Sequence, residues 1–141
     1  MKLSTRSRYG ARILCCIAEY QDHGYVSLNM VSERLRISRK YAEQLVRNFV
    51  KSGYLESCRG PYGGYKFSTP PEKISIADVV RLLDGGLTLV KCGDEREKCR
   101  NYDTCAMRKV WELAADSMNF ELAKISIGDI AGHSMERFIC D

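Results

Sequence analysis

The stretch from Ser27 to Thr69 constrains the fold most, because its hydrophobic period changes partway along. Ser27 precedes a short helical run whose buried side is Met30, Val31 and Leu35. Arg36-Ile37 makes a tight connection. Ser38 then opens a second run, SRKYAEQLVRNFVKSG, which Gly53 ends. A serine ahead of such a run can accept from the first-turn N–H groups, which otherwise lack partners. Leu45, Phe49 and Val50, with Tyr41 or Ala42, fall on one helical face and predict the inward side. From Tyr54 onward the period drops to two. Leu55 to Cys58 and Tyr65 to Phe67 read as strands. Between them lies the tip Arg59-Gly60-Pro61-Tyr62-Gly63-Gly64, in which four of six residues are Gly or Pro. Two short helices followed by a two-stranded hairpin predict a winged helix-turn-helix within a mainly α chain.

That pattern carries an expectation about partners. The N-terminal residues of the second helix of such a pair reach base edges in duplex DNA. Here they are polar and basic: Ser38, Arg39, Lys40, Glu43, Gln44 and Arg47 face outward. Arg suits guanine, and Gln or Glu suits adenine or cytosine edges. Ser38 and Lys40 suit phosphate. At the wing tip, Arg59 can enter a minor groove, and the glycines let backbone approach a phosphate. The tip is no nucleotide phosphate loop, since the Gly-x4-Gly-Lys-Ser/Thr pattern is absent. Charge agrees. Residues 1–70 carry 12 Lys/Arg against 5 Asp/Glu, a net +7, and residues 71–141 carry 10 against 13, a net −3, within a chain total of +4. The basic half is an electrostatic footprint for a polyanion.

The flanking segments are helical. Ser4 or Thr5 caps a helix to about Asp22, with Tyr9, Ile13, Ile17 and Tyr20 as its core face. Cys15 and Cys16 are expected to pack as small apolar residues. His23 sits in the turn Asp22-His23-Gly24. After Pro70-Pro71, Ser75 caps a helix with Ile76, Val79, Val80 and Leu83 on one face, and Gly85-Gly86 ends it. From about Asp103 a longer helix presents Met107, Trp111, Ala114, Met118, Leu122 and Ile125 at spacings of three and four. This stripe predicts a dimer helix, since a two-fold operator needs a two-fold protein. Residues 127–139 read as a short helical tail, broken near Gly132-His133-Ser134.

Residues 90–107, VKCGDEREKCRNYDTCAM, are different in kind. Cys92, Cys99 and Cys105 are separated by six and then five residues in a polar, charged loop. Zinc sites bring ligands in tighter pairs. Thiolates spaced more widely can wrap an iron–sulphur cluster, and Lys91, Arg96, Lys98 and Arg100 would favour the ionised form. Three solvated thiols remain open from spacing alone. So do a reversible disulfide sensor and a zinc-stabilised module. Seven cysteines, an odd number, argue against a closed disulfide framework and for a reducing cytoplasm. No apolar run approaches the ~20 residues of a membrane span, and MKLSTRSRYG is read as carrying no signal peptide. With two His and no nucleophile–base pairing, no catalytic constellation is expected.

SRYGARIL, ISRKYAEQLV, RGPYGGY and ISIADVVRLLDG, with a three-cysteine loop ahead of a long helix, resemble the IscR/NsrR-type winged-helix regulators of the Rrf-two superfamily. The likeness covers nearly the whole chain. It implies a homodimeric transcription regulator, with a DNA-binding domain at 1–84, a cluster loop at 85–106 and a dimerisation helix and tail at 107–141. Cys92, Cys99 and Cys105 would hold an iron–sulphur cluster, 2Fe–2S in preference to 4Fe–4S. Tyr41, Glu43 and Gln44 take recognition-helix positions. Arg59, Gly60, Tyr62, Gly63 and Gly64 form the wing, and Met107, Trp111, Ala114, Met118 and Leu122 the dimer seam. The chain departs from the family twice. Arg108 stands where IscR-like members have a His ligand, and Arg8 where NsrR-like members have an acidic one. The fourth ligand is open among Asp94, Glu97, Tyr102, Asp103, His133 and Cys140.

Overall fold

The computed structural model describes residues 3–90 and 101–131. Six helices and one hairpin follow in order: α1 (Thr5–Tyr20), α2 (Leu28–Leu35), α3 (Arg39–Lys51), β1 (Leu55–Cys58), β2 (Gly64–Phe67), α4 (Ile76–Asp84), α5 (Ala106–Ala123) and α6 (Ile127–Ala131).

Four serines start four helices. Ser4, Ser27, Ser38 and Ser75 each sit in extended backbone and accept an N–H three residues on. At Ser75 the cap is reciprocal, because the Asp78 carboxylate also accepts from the Ser75 N–H at 3.1 Å. Such caps contribute about 1 kcal/mol each. Helix ends are set by left-handed residues. Gly85 (φ 82°) closes α4 and Arg36 (φ 51°) closes α2. Arg36 is the less expected, since a side chain in that region costs roughly 1–2 kcal/mol. Its N–H donates to the Ser32 and Glu33 carbonyls, and the Ile37 N–H to the Ser32 carbonyl at 3.0 Å, so the turn before α3 is tight and fully bonded.

The core lies where α1 crosses α2, α3 and α4. Ile13, Leu14, Ile17, Val31, Leu45, Val46, Phe49 and Val79 are fully enclosed. Tyr9 and Tyr20, placed on the α1 face by periodicity, pack at its margin. Val50 and Met30 are half-buried at the stripe edges, whereas Val46 and Leu28 are buried. Gly10 makes the α1 crossing possible. A Cβ there would lie 2.3 Å from Leu83 Cδ1 and 3.2 Å from Phe49 Cζ.

Two bridges tie distant segments to this core. Val26 pairs with Tyr65 through one isolated bridge, so the α1–α2 connection lies beside the wing. Ser75 pairs with Ser126, and the Ile127 N–H donates to the Ile74 carbonyl at 2.8 Å. Ile127 is fully enclosed and α6 packs on α1, so the chain returns to the helical core after α5. Among the described residues, no helix is long and apolar enough to cross a membrane. The 90–107 loop lies largely outside the described residues, as do Cys92, Cys99 and the segment from Gly132 to Cys140. Cys105 is described.

Candidate nucleic-acid interface

Helix α3 presents its polar edge because the opposite edge is consumed by Ala42, Leu45, Val46 and Phe49. Ser38, Arg39, Lys40, Gln44 and Arg47 are exposed, and Glu43 is half-buried. The Ser38 Oγ accepts from the Tyr41 N–H at 3.1 Å, which leaves its own O–H available to donate. Glu43 Oε1 takes a bond from Arg47 Nη2 at 2.7 Å, so the two side chains brace one another one turn apart. A pair this exposed adds little to stability; its effect is to orient both groups.

The wing stands against the N-terminal half of α3. Its register pairs Leu55 with Phe67 and Cys58 with Gly64. Arg59, Gly60, Pro61 and Tyr62 are exposed, and Tyr62 is 95% accessible. Gly60 takes φ 116°, and the Gly63 N–H closes the tip onto the Gly60 carbonyl at 3.0 Å. Gly63 and Gly64 have a packing reason besides any approach to phosphate. A Cβ on Gly63 would lie 2.3 Å from the Cys58 carbonyl oxygen, and one on Gly64 the same distance from that of Val26. A groove of about 440 Å³ runs between helix and wing, lined by Arg39, Glu43, Arg59, Gly60, Gly63 and Gly64 among others. Sequence-selected residues from two separate segments thus share one concave face.

Tyr41 differs from its neighbours. It is half-buried, and its ring meets Tyr9 edge-on at 6.1 Å. Burial raises its phenol above the usual range, opposed by the Arg6 cation. The hydroxyl therefore stays protonated, able to donate.

The helix α5 carries two apolar edges. Ala115 is buried, and Met118, Ala114 and Leu122 are half-buried on the side that meets α4. Met107 and Trp111 are exposed. So are Val110, Leu113 and Phe120, which the sequence stripe did not include. These last three recur at spacings of three and seven, a line along one side of the helix. The periodicity was present, but the Met118 stripe competes with it, and only packing tells which edge is taken by α4.

Cys105 is the N-cap of α5, half-buried, with no side-chain cap made. A negatively charged ligand is favoured at that end of a helix. Arg108 is committed nearby: its Nε donates to the Tyr102 carbonyl at 2.9 Å, its guanidinium lies 4.3 Å from the Tyr102 ring centroid, and it pairs with Glu112. Among the described residues no three His, Cys, Asp or Glu side chains converge on one point. Cys15 and Cys16 are core residues. Burial pushes the Cys15 thiol up to about 12 and the Cys16 thiol up to about 11, the latter despite Arg34. Thiolate is the reactive form. Iodoacetamide applied to folded, metal-free protein should therefore label Cys58 and Cys105, while Cys15 and Cys16 react only after unfolding. Peptide mass spectrometry would read this, and early labelling of Cys15 would contradict the buried assignment.

A capped recognition helix, a hairpin wing beside it and a long helix with a free apolar edge define a winged-helix DNA-binding regulator. Residues 3–133 match the family model described as "Rrf2: Iron-dependent Transcriptional regulator". The chain belongs to the Rrf2 family, whose members are homodimeric DNA-binding transcription regulators and not enzymes. Protein rrf2 of Nitratidesulfovibrio vulgaris is 38% identical over 130 residues, 92% of this chain and 87% of that protein. Two solved structures are similar: CymR, the global cysteine regulator of B. subtilis (TM-score 0.78, 30% identity, 95% of this chain and 98% of that one), and T. potens IscR (0.78, 29%, 100% and 93%).

Proposed function

We propose that this chain is a cytoplasmic homodimer that reads a two-fold operator and adjusts its grip according to an iron–sulphur cluster held by Cys92, Cys99 and Cys105. In the DNA-bound dimer, α3 enters the major groove with Arg39, Tyr41, Glu43, Gln44 and Arg47 toward base edges. Ser38 and Lys40 meet phosphate, and the wing lays Arg59 and Tyr62 beside the adjacent minor groove. The α5 helices pair the two heads.

The observation that carries the sensing reading is the position of Cys105. It begins the helix whose outer edge is apolar, so whatever its sulphur holds acts at the root of the dimer helix. The donor chemistry fits: three cysteines with basic neighbours suit an anionic thiolate-bound group, and the family model is described as iron-dependent. Such a cluster would supply a redox-active or labile group. With the His ligand position taken by Arg108, the fourth donor comes from elsewhere, and 2Fe–2S is favoured over 4Fe–4S by resemblance alone.

Protein purified without oxygen from iron-replete cells should be coloured and contain iron and sulphide. Cys99→Ala should lose the colour and change operator affinity. Colourless, iron-free protein would remove the cluster reading and leave DNA binding standing. A second reading, a cofactor-free thiol sensor, draws on the half-buried Cys105 and the likeness to a cysteine regulator. Mild oxidation followed by mass spectrometry would then reveal a disulfide among the loop cysteines with no iron bound.

A further inference from the structure

Two grooves flank α3, one beside the wing and one on the side of α1. The second, about 410 Å³, is lined by Arg6 of α1 and by Tyr41, Gln44, Leu45, Arg47, Asn48 and Lys51 of α3. Three of the seven are cations and none is a carboxylate. Arg47 is braced by Glu43, while Arg6 and Lys51 have no ion-pair partner among the described residues. Tyr41, Gln44, Arg47 and Lys51 follow one another at three- and four-residue steps, so the groove runs along α3 for about three turns.

Arg6 sits in the first turn of α1, a turn with no acidic residue. A cation there opposes the positive end of the helix dipole and costs stability. The local need is met instead by Asp84, whose carboxylate accepts from the Ser4 hydroxyl at 2.8 Å and from the buried Ser7 hydroxyl at 2.6 Å. Asp84 thereby ties the start of α1 to the end of α4, while Arg6 lines the groove beside α3. The placement works against the helix and fits an external anion.

Geometry says which anion. An α-helix with side chains is about 10–12 Å across, and the major groove is about 12 Å wide. A helix seated there has a sugar–phosphate strand along each flank. The wing groove accounts for one strand.

We infer that Arg6, with Lys51, binds backbone phosphates of the other strand, so that each protomer clamps α3 in the major groove from both sides. This rests on the DNA-binding reading and adds residues to it. The clamp is blind to sequence, since phosphates carry no base identity.

The test is the salt dependence of binding by the full-length dimer to about three helical turns of duplex DNA of arbitrary sequence, followed by anisotropy. Each lost phosphate contact flattens the log–log slope by ~0.9, so Arg6→Ala, which removes one per protomer, should flatten it by ~1.8. Between about 50 and 200 mM salt its affinity should then fall roughly tenfold less than that of the wild type. Lys51→Ala should flatten the slope in the same direction. Lys73→Ala, an equal charge change on the turn before α4 and outside both grooves, should leave it unaltered. The melting temperature of Arg6→Ala should hold or rise, an outcome a merely structural arginine would not give. A wild-type slope in Arg6→Ala and Arg6→Gln, or the same flattening in Lys73→Ala, would overturn the clamp. Failure of the wild type to bind duplex would strike the DNA reading itself.

Discussion

Leu113→Asp combined with Phe120→Asp should convert the protein from dimer to monomer and lower operator affinity by at least two orders of magnitude. In the single chain Leu113 is 68% exposed and Phe120 64% exposed, two turns apart on one line of α5 with Val110 between Met107 and Leu113. Large apolar side chains this open are a liability unless a partner covers them. Covering a Leu or Phe contributes about 1.5–3 kcal/mol, and a two-fold interface buries each residue twice. Because each is already about a third covered, four such side chains account for roughly 4–8 kcal/mol of association, which carboxylates would forfeit while adding like-charge repulsion. Fold stability of the head should change little, because neither residue is in the core cluster. Phe120 also carries the Lys124 ammonium 4.2 Å over its ring, a contact worth little at an exposed site. DNA affinity falls because one head alone binds a half-site without the second held nearby. Sedimentation would read the mass and anisotropy the affinity. An intact dimer with both aspartates in place would show that the other edge, around Met107 and Trp111, makes the interface.

What the sequence revealed and what it hid divide along a physical line. The caps at Ser4, Ser27, Ser38 and Ser75 are local events, with hydroxyl and N–H three residues apart, and each was readable before any tertiary contact existed. The hairpin was readable for the same reason, because Gly and Pro act on their own φ and ψ. The family likeness, resting on motifs spread over the chain, also survived comparison. Three features were hidden because they depend on segments meeting across space. One is Ile127, in the core only because the chain turns back after α5. Another is the inner edge of α5, which the Met118 stripe shares with an outer edge of equal period. The third is Arg6, whose role as a lone cation in a helix start has meaning only once α3 lies alongside. Arg36 was hidden differently. Its left-handed turn usually calls for Gly or Asn, and the tight bonding to Ser32 and Glu33 overrides that preference. At the candidate site, the recognition-helix and wing residues were identifiable from composition and position. Their sharing of one groove required the Val26–Tyr65 bridge, for which no sequence signal exists.

Gly64→Ala is expected to detach the wing while leaving the helical head folded. The added Cβ would stand 2.3 Å from the Val26 carbonyl oxygen and 2.5 Å from its carbon. Both are backbone atoms, so no side-chain rotation relieves the clash. Val26 and Tyr65 exchange two hydrogen bonds, each 2.9 Å, and relief of the clash must lengthen or break them. Two bonds at about 0.5–1.5 kcal/mol each, with partial exposure of buried Val26, give a loss of roughly 2–4 kcal/mol. Because α1, α3 and α4 hold their own core through Phe49, Ile13 and Leu83, the head should still unfold cooperatively, at a lower urea midpoint. Amide exchange at Tyr65 and Val26 should accelerate far more than at Leu45 or Val46, since local opening then lies well below global unfolding. Operator affinity should drop about tenfold or more, from the loss of Arg59 and Tyr62 as placed contacts. Arg39→Ala in the same background should still weaken binding further, as α3 remains in the groove. Unchanged exchange at Tyr65, with affinity intact, would mean that the wing tolerates the methyl by shifting as a unit and that the Val26 bridge does not set its position.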